Sequence, residues 1–164
     1  MGVSGSGKST LGTLLASTLG CPFLEGDDFH DAVAVAMMRG GEPLTDVERW
    51  PWLDRIGVAL AREVVMHGVA VAACSALRRV YRERLATAAG IPIRFVLLDN
   101  DPDELLRRIA SRPDHYMPPG LLASQLATLE RPEPDEPAVT LDSHEPPPGL
   151  CRQALNWLAE RTVP

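Results

Sequence analysis

The chain has 164 residues, 45 % hydrophobic and 23 % charged, enough for one domain with its own core. Its net charge of -6 argues against a nucleic-acid partner, which favours a basic face, but leaves a locally basic small-molecule pocket open. Three unevenly spaced cysteines point to reduced thiols in a cytoplasmic protein, and no signal peptide or apolar run of membrane-span length is present.

The first element is a loop. Gly2-Val3-Ser4-Gly5-Ser6-Gly7-Lys8-Ser9 fits the phosphate-binding pattern G-x-x-x-x-G-K-[ST] at every fixed position. Glycines let successive N–H groups point into a concavity, and the helix that follows adds its positive end. Lys8 reaches the β- and γ-phosphates and Ser9 ligates Mg²⁺ in such a loop, so Gly2 to Thr10 is the expected ATP site. Lys8 is the only lysine in the chain; every other cationic side chain apart from histidine is Arg. A helix is predicted from Thr10 to Leu19, with Leu11, Leu14, Leu15 and Leu19 on one face and Gly20 as its stop. The motif is expected to follow a buried strand, yet only Met1 precedes it. The expectation is therefore a chain that starts upstream, with Met1 a misassigned or truncated beginning.

Pro22 to Gly26 is predicted as a short strand that delivers Asp27, Asp28 and His30 at its carboxyl end, where open parallel sheets bind ligands. Two acids and a histidine there suit Mg²⁺ positioning, proton removal from a hydroxyl, or polyol binding. An Asx turn with a helix cap is the equal alternative. A short helix over Ala32–Met38 stops at Gly40-Gly41. Thr45 and Glu48 have capping-box spacing, Pro51 suits a first helical turn, and a helix runs to about His67. Arg49, beside Trp50 and Trp52, suits either an anionic substrate or a solvated helix end.

The uninterrupted apolar run Val69–Cys74 reads as a strand buried on both faces. A helix follows over Leu77–Ala89, with Arg78, Arg79, Arg82 and Arg84 on its outer face. Next come a strand over Ile93–Leu98, a helix from Asp101 to about Arg112, a polar loop, and a helix over about Leu121–Glu130. Arg108 and Arg112 lie one turn apart. Helix, polar loop and helix over about 105–130 suits either a lid or a surface hairpin. A strand over Ala138–Asp142 and a helix over Leu150–Arg161 close the chain. Alternation of strands and helices predicts a mainly parallel sheet with helices on both faces.

With these residues assembled, the sequence resembles the bacterial gluconokinases, small P-loop kinases related in fold to nucleotide kinases. The resemblance runs along nearly the whole chain. It rests on Gly2 to Thr10, Gly26-Asp27-Asp28-Phe29-His30, Pro43-Leu44-Thr45-Asp46, Arg49, Pro51-Trp52-Leu53, Cys74-Ser75-Ala76-Leu77, Tyr81-Arg82, Arg108, Arg112, His115, Met117, Leu121-Leu122, Ser124-Gln125 and Thr128-Leu129-Glu130. It implies one three-layer α/β/α domain over 1–164, about five mainly parallel strands with the first missing here, and a helical lid. It implies phosphorylation of D-gluconate by ATP and Mg²⁺, with no nucleic-acid or membrane partner, in a cytoplasmic homodimer.

By the same resemblance Asp27 orients or deprotonates the hydroxyl and reaches Mg²⁺ through water, beside Ser9. Asp27, Asp28, His30, Arg49, Arg82 and Gln125 line the acceptor pocket. Lys8, Arg108 and Arg112 stabilise the phosphoryl in flight. The sequence departs from the family pattern at Asp31, Ala34 and Met37, where Pro, Asn and Lys are usual, and at Pro113-Asp114 before His115. The alternatives weighed are a kinase for another small hydroxy acid and a nucleotide-binding relative with impaired catalysis. A GTPase-type switch is excluded, since its N-K-x-D motif needs a second lysine.

Overall fold

The computed structural model describes residues 1–110 and 119–160, so Arg112, His115 and Met117 lie outside the described residues. Among the described residues, four short strands are interspersed with seven helices: α1 (Lys8–Leu19), β1 (Phe23–Glu25), α2 (Ala32–Arg39), α3 (Asp46–His67), β2 (Val71–Ala73), α4 (Arg79–Ala89), β3 (Phe95–Asp99), α5 (Pro102–Ala110), α6 (Pro119–Thr128), β4 (Ala138–Asp142) and α7 (Pro147–Glu160). A 3₁₀ turn, Gly26–Phe29, follows β1.

The strands form two parallel pairs. β1 lies on β2 with Phe23 opposite Val71, and β3 lies on β4 with Phe95 opposite Ala138. Met1 stands between the pairs. Its amine donates to Val96 O at 2.5 Å, its carbonyl accepts from Leu98 N at 3.0 Å, and Gly2 N donates to Ser75 O at 3.2 Å. Met1 on the β3 side and Gly2 on the β2 side thus join the two pairs with the hydrogen-bond pattern of a central parallel strand. Behind it runs an apolar slot of about 470 Å³, lined by Leu15, Val71, Ile93 and Phe95 among others.

Helices cover both faces. α3 and α4 pack Leu53, Ile56, Tyr81 and Leu85 with Phe95 on one side. α1 and α7 pack Leu11, Leu15, Leu150 and Ala154 with Leu98 and Leu141 on the other. A third cluster joins Val3 of the glycine-rich loop to Leu77, Leu105 of α5 and Leu122 of α6. It seats both predicted lid helices beside the phosphate loop. The expected three-layer α/β architecture is thus observed.

Local chemistry explains the boundaries. Gly20, at φ 65°, stops α1 by donating to Ala16 O and Ser17 O. Asp31 caps α2 by accepting from Ala34 N at 2.9 Å. Asp101 caps α5 by accepting from Asp103 N at 2.9 Å. α3 begins at the Thr45–Glu48 box, with Thr45 N donating to Glu48 Oε2 at 2.6 Å. It therefore runs through Pro51, expected in a first turn; the proline sits inside the helix, where its ring leaves the Val47 carbonyl without a helical donor. Among the described residues, no helix is long and apolar enough to cross a membrane.

Candidate active site

The glycine-rich loop turns back on itself through left-handed glycines, Gly5 at φ 79° and Gly7 at φ 92°, before α1 starts at Lys8. Gly2, at φ 144°, leaves no room for a side chain: a Cβ there would sit 2.9 Å from Ser6 Oγ and 3.1 Å from Leu98 O. Ser6 Oγ is itself buried and has no hydrogen-bond partner among the described residues. An orphaned hydroxyl in a glycine-rich loop that opens a helix suits an anion.

Two pockets flank this loop. One, of about 290 Å³, is lined by Ser4 and Lys8 on the loop side, and by Asp27, His30, Arg49 and Gln125 among others. The other, of about 340 Å³, is lined by Gly5, Ser6, Gly7 and Thr10 on the loop side and by Arg108, Ser143 and His144. A phosphate held by the loop thus lies between two spaces that could each hold a small molecule. The slot behind Met1 is larger but carries an apolar wall.

The turn bearing Asp27 is held from α3. Trp52, buried at 1 % exposure, donates its indole N–H to Gly26 O at 2.7 Å, and Arg55 Nε donates to Phe29 O at 2.8 Å. The His30 ring stacks on Trp52 at 4.4 Å with an 8° tilt. Burial lowers the His30 pKa from its ordinary value, so the ring is neutral at pH 7. Its Nδ1 is buried and has no hydrogen-bond partner among the described residues. Gly26 lets β1 meet β2: a Cβ would fall 2.3 Å from Ala73 O. Gly26→Ala is expected to separate the strands, displace Asp27 and cost at least 2 kcal/mol, of the order of overpacking in a core; urea unfolding measures it.

The structure brings together Lys8, Asp27, His30, Arg49 and Gln125. Gln125 Oε1 also accepts from Ser4 N of the loop at 2.7 Å, tying α6 to the phosphate site. Ser9 opens α1 beside Lys8. Arg108 faces the opposite pocket, where its Nε donates to Glu104 at 2.9 Å and a terminal nitrogen donates to Ser143 O at 3.1 Å. It holds the Glu104 carboxyl below the usual carboxylate range. Asp28 is exposed and does not line the acceptor-side pocket.

Arg82, expected from the resemblance to line the acceptor pocket, is 2 % exposed and makes a two-pronged pair with Glu136 at 2.5 and 2.8 Å. Its remaining nitrogen donates to the carbonyls of Glu130, Ala76 and Leu77. These bonds clamp the 130–136 loop to α4, and Arg82 is not among the residues that line the acceptor-side pocket. Arg82 holds the Glu136 carboxyl below its usual range. That contribution stands above the ordinary carboxylate pKa and is lost as pH falls through the lowered one. Glu136→Ala is expected to cost about 3–5 kcal/mol, as for a broken buried pair, with acceptor KM within twofold of wild type.

Arg39, Ser75 and His144 line the pockets without having been singled out. Ser75 and His144 follow β2 and β4, so the strand-end rule that picked Asp27 also covers them. Arg39 carries only the signal of a basic residue at a helix end.

A family model described as an AAA domain matches residues 1–132. The gluconokinase of Gluconobacter oxydans is 46 % identical over 155 residues, covering 94 % of this chain and 86 % of that protein. The thermosensitive gluconokinase of Escherichia coli is 39 % identical over 168 residues, covering 99 % and 89 %. A solved gluconokinase from Sinorhizobium meliloti superposes with a TM-score of 0.86 at 43 % identity, covering 98 % of this chain and 89 % of that one.

Proposed function

The chain belongs to the gluconokinase family, and from that premise we propose that it transfers the γ-phosphoryl of ATP to the 6-hydroxyl of D-gluconate, giving ADP and 6-phospho-D-gluconate. The observation that carries the reading is a phosphate loop standing between two pockets, with Lys8 and Asp27 both on the acceptor side.

ATP lies along the loop from the Arg108 side, its γ-phosphate facing Lys8. Gluconate enters from the Asp27 side. Asp27 accepts the proton of the 6-hydroxyl as that oxygen attacks phosphorus, and the bond to the β-phosphate oxygen breaks. Lys8 and the loop N–H groups hold the equatorial oxygens, and positioning with charge stabilisation supplies most of the rate. His30, neutral, offers Nδ1 to a hydroxyl of the chain. Arg49 and Gln125 complete the acceptor wall. Arg108 belongs to the nucleotide side; the role expected of Arg112 from the family resemblance is the same.

Among the described residues, no cluster of three His, Cys, Asp or Glu forms a metal cage. Mg²⁺ carried in by ATP keeps most of its waters and needs only one or two protein oxygens; the Ser9 hydroxyl would hold it directly and Asp27 through water. When bound, Mg²⁺ neutralises charge on the phosphate oxygens. The proposal includes a homodimer in the cytoplasm. Val58, Val65 and Met66, exposed on one face of α3, support the dimer.

Proton-coupled ³¹P NMR of the product tests the reaction. A primary ester at the 6-position gives a triplet. A doublet, from a secondary ester, or no phosphorylated gluconate contradicts the assignment.

A further inference from the structure

We propose that Tyr81 is a positioning residue for the acceptor: its ring holds the Arg49 guanidinium at the wall of the acceptor pocket without itself touching the acceptor. The inference rests on the acceptor assignment above.

Arg49 stands in a partition. With Leu44 and Ser124 it lines both the acceptor-side pocket and a polar pocket of about 330 Å³ next to it. Tyr81 lines only that second pocket, so the acceptor meets Arg49 and not Tyr81. An arginine at the start of α3 has a long side chain with many rotamers, and its contacts decide which pocket its charge serves. Its Nε donates to Leu44 O at 3.1 Å. Its guanidinium carbon lies over the Tyr81 ring, 5.5 Å from the centroid. The attraction of a cation to a ring face is strongest where water is excluded, and here Tyr81 is 2 % exposed and Arg49 half-buried.

The ring is a firm support. It packs with Leu53, Ile56 and Leu85, and Trp50 meets it edge-on at 5.5 Å. Its hydroxyl donates to Asp46 Oδ1 at 2.5 Å, while Asp46 Oδ2 accepts from Arg78 at 2.9 Å. Asp46 precedes Arg49 by three residues on α3, the spacing of a helical ion pair, yet both its oxygens are engaged elsewhere. Arg78 lies equally far from the ring, but Asp46 and Glu130 answer its charge. Among the described residues Arg49 has the ring and no ion-pair partner. Its charge is thus held in place and left for the anionic end of a sugar acid. Holding the side chain before binding removes an ordering cost from association. The benefit is the same in the ground and transition states, so it acts on KM and not on kcat.

The test is steady-state kinetics of Tyr81→Phe and of chains with a phenylalanine bearing three or five ring fluorines at the same position, each also made with Arg49→Gln. Fluorine draws electron density from the ring face and changes its size little, so the hold on a cation weakens while the packing stays. Tyr81→Phe keeps the ring, and its KM for gluconate is expected within threefold of wild type. Fluorination is expected to raise that KM in steps, by about fivefold with five fluorines, with kcat within threefold and KM for ATP unchanged. In chains with Arg49→Gln the fluorines should leave kcat/KM for gluconate unchanged. A KM for gluconate that ignores fluorination overturns the inference, as does an equal dependence in the Arg49→Gln chains or an equal rise in KM for ATP. Wild-type enzyme inert with gluconate, but phosphorylating another sugar acid with the same dependence on ring fluorination, overturns the acceptor and keeps the positioning role. Wild-type enzyme inert with every acid overturns both.

Discussion

Asp27→Asn should lower kcat for gluconate phosphorylation roughly 10³-fold while leaving KM for ATP within twofold. The magnitude is that of losing a positioned general base, about 10²–10⁴. The substitution removes charge and keeps shape. The turn is held by backbone and by α3, through Trp52 on Gly26 O and His30 N donating to Asp27 O at 3.3 Å, so the fold should survive. Thermal unfolding within about 2 °C of wild type would establish that. A kcat within tenfold of wild type would reduce Asp27 to an exposed turn residue. Lys8→Ala, on the loop's side of the same pocket, should also cost orders of magnitude in kcat, and should weaken ATP as well. The two variants therefore separate acceptor chemistry from nucleotide binding.

The second large effect concerns stability. The Met1 α-amine is packed between the strand pairs, and burial pushes its pKa from 8.0 down to about 5. In the unfolded chain the amine takes its proton near pH 8, so the unfolded state binds more protons between pH 8 and 5 and stability rises with pH across that window. A three-unit gap corresponds to about 4 kcal/mol, fully available above pH 8 and lost towards pH 5. Fusing five extended Val and Ile residues ahead of Met1 should remove this dependence, because the amine becomes a peptide N–H that still faces Val96 O. The added strand enters the slot of about 470 Å³ between β2 and β3. Backbone hydrogen bonds at ~1 kcal/mol each and buried side chains at ~1.5–3 kcal/mol each oppose an ordering cost of ~1–2 kcal/mol per residue, leaving a gain of a few kcal/mol. Urea unfolding at pH 6, 7, 8 and 9 on both chains measures this. Equal slopes with pH, or no gain on extension, would show that the slot does not accept a strand.

Much of this was legible from local chemistry. The loop Gly2 to Ser9, the stop at Gly20, the Thr45–Glu48 box and the Asp101 cap each depend on neighbours within a few residues, and each is found where the sequence places it. β2 spans Val71–Ala73 rather than the predicted Val69–Cys74, because a strand is defined by its partners and β1 pairs with it only over Phe23–Glu25. The burial of Arg82 was hidden for a related reason. A surface-facing helical position says nothing of the loop at 130–136, brought over it by the chain 48 to 54 residues later. Asp27 and His30 were legible through the strand-end rule, whereas the stack on Trp52 and the burial that lowers the His30 pKa are tertiary facts.

Acceptor-dependent ADP release tests the central claim most directly. Incubated with ATP and Mg²⁺, the chain should release ADP with D-gluconate present and far less without it, and Lys8→Ala should abolish the difference. ADP release indifferent to gluconate, while another hydroxy acid accelerates it, would contradict the assignment.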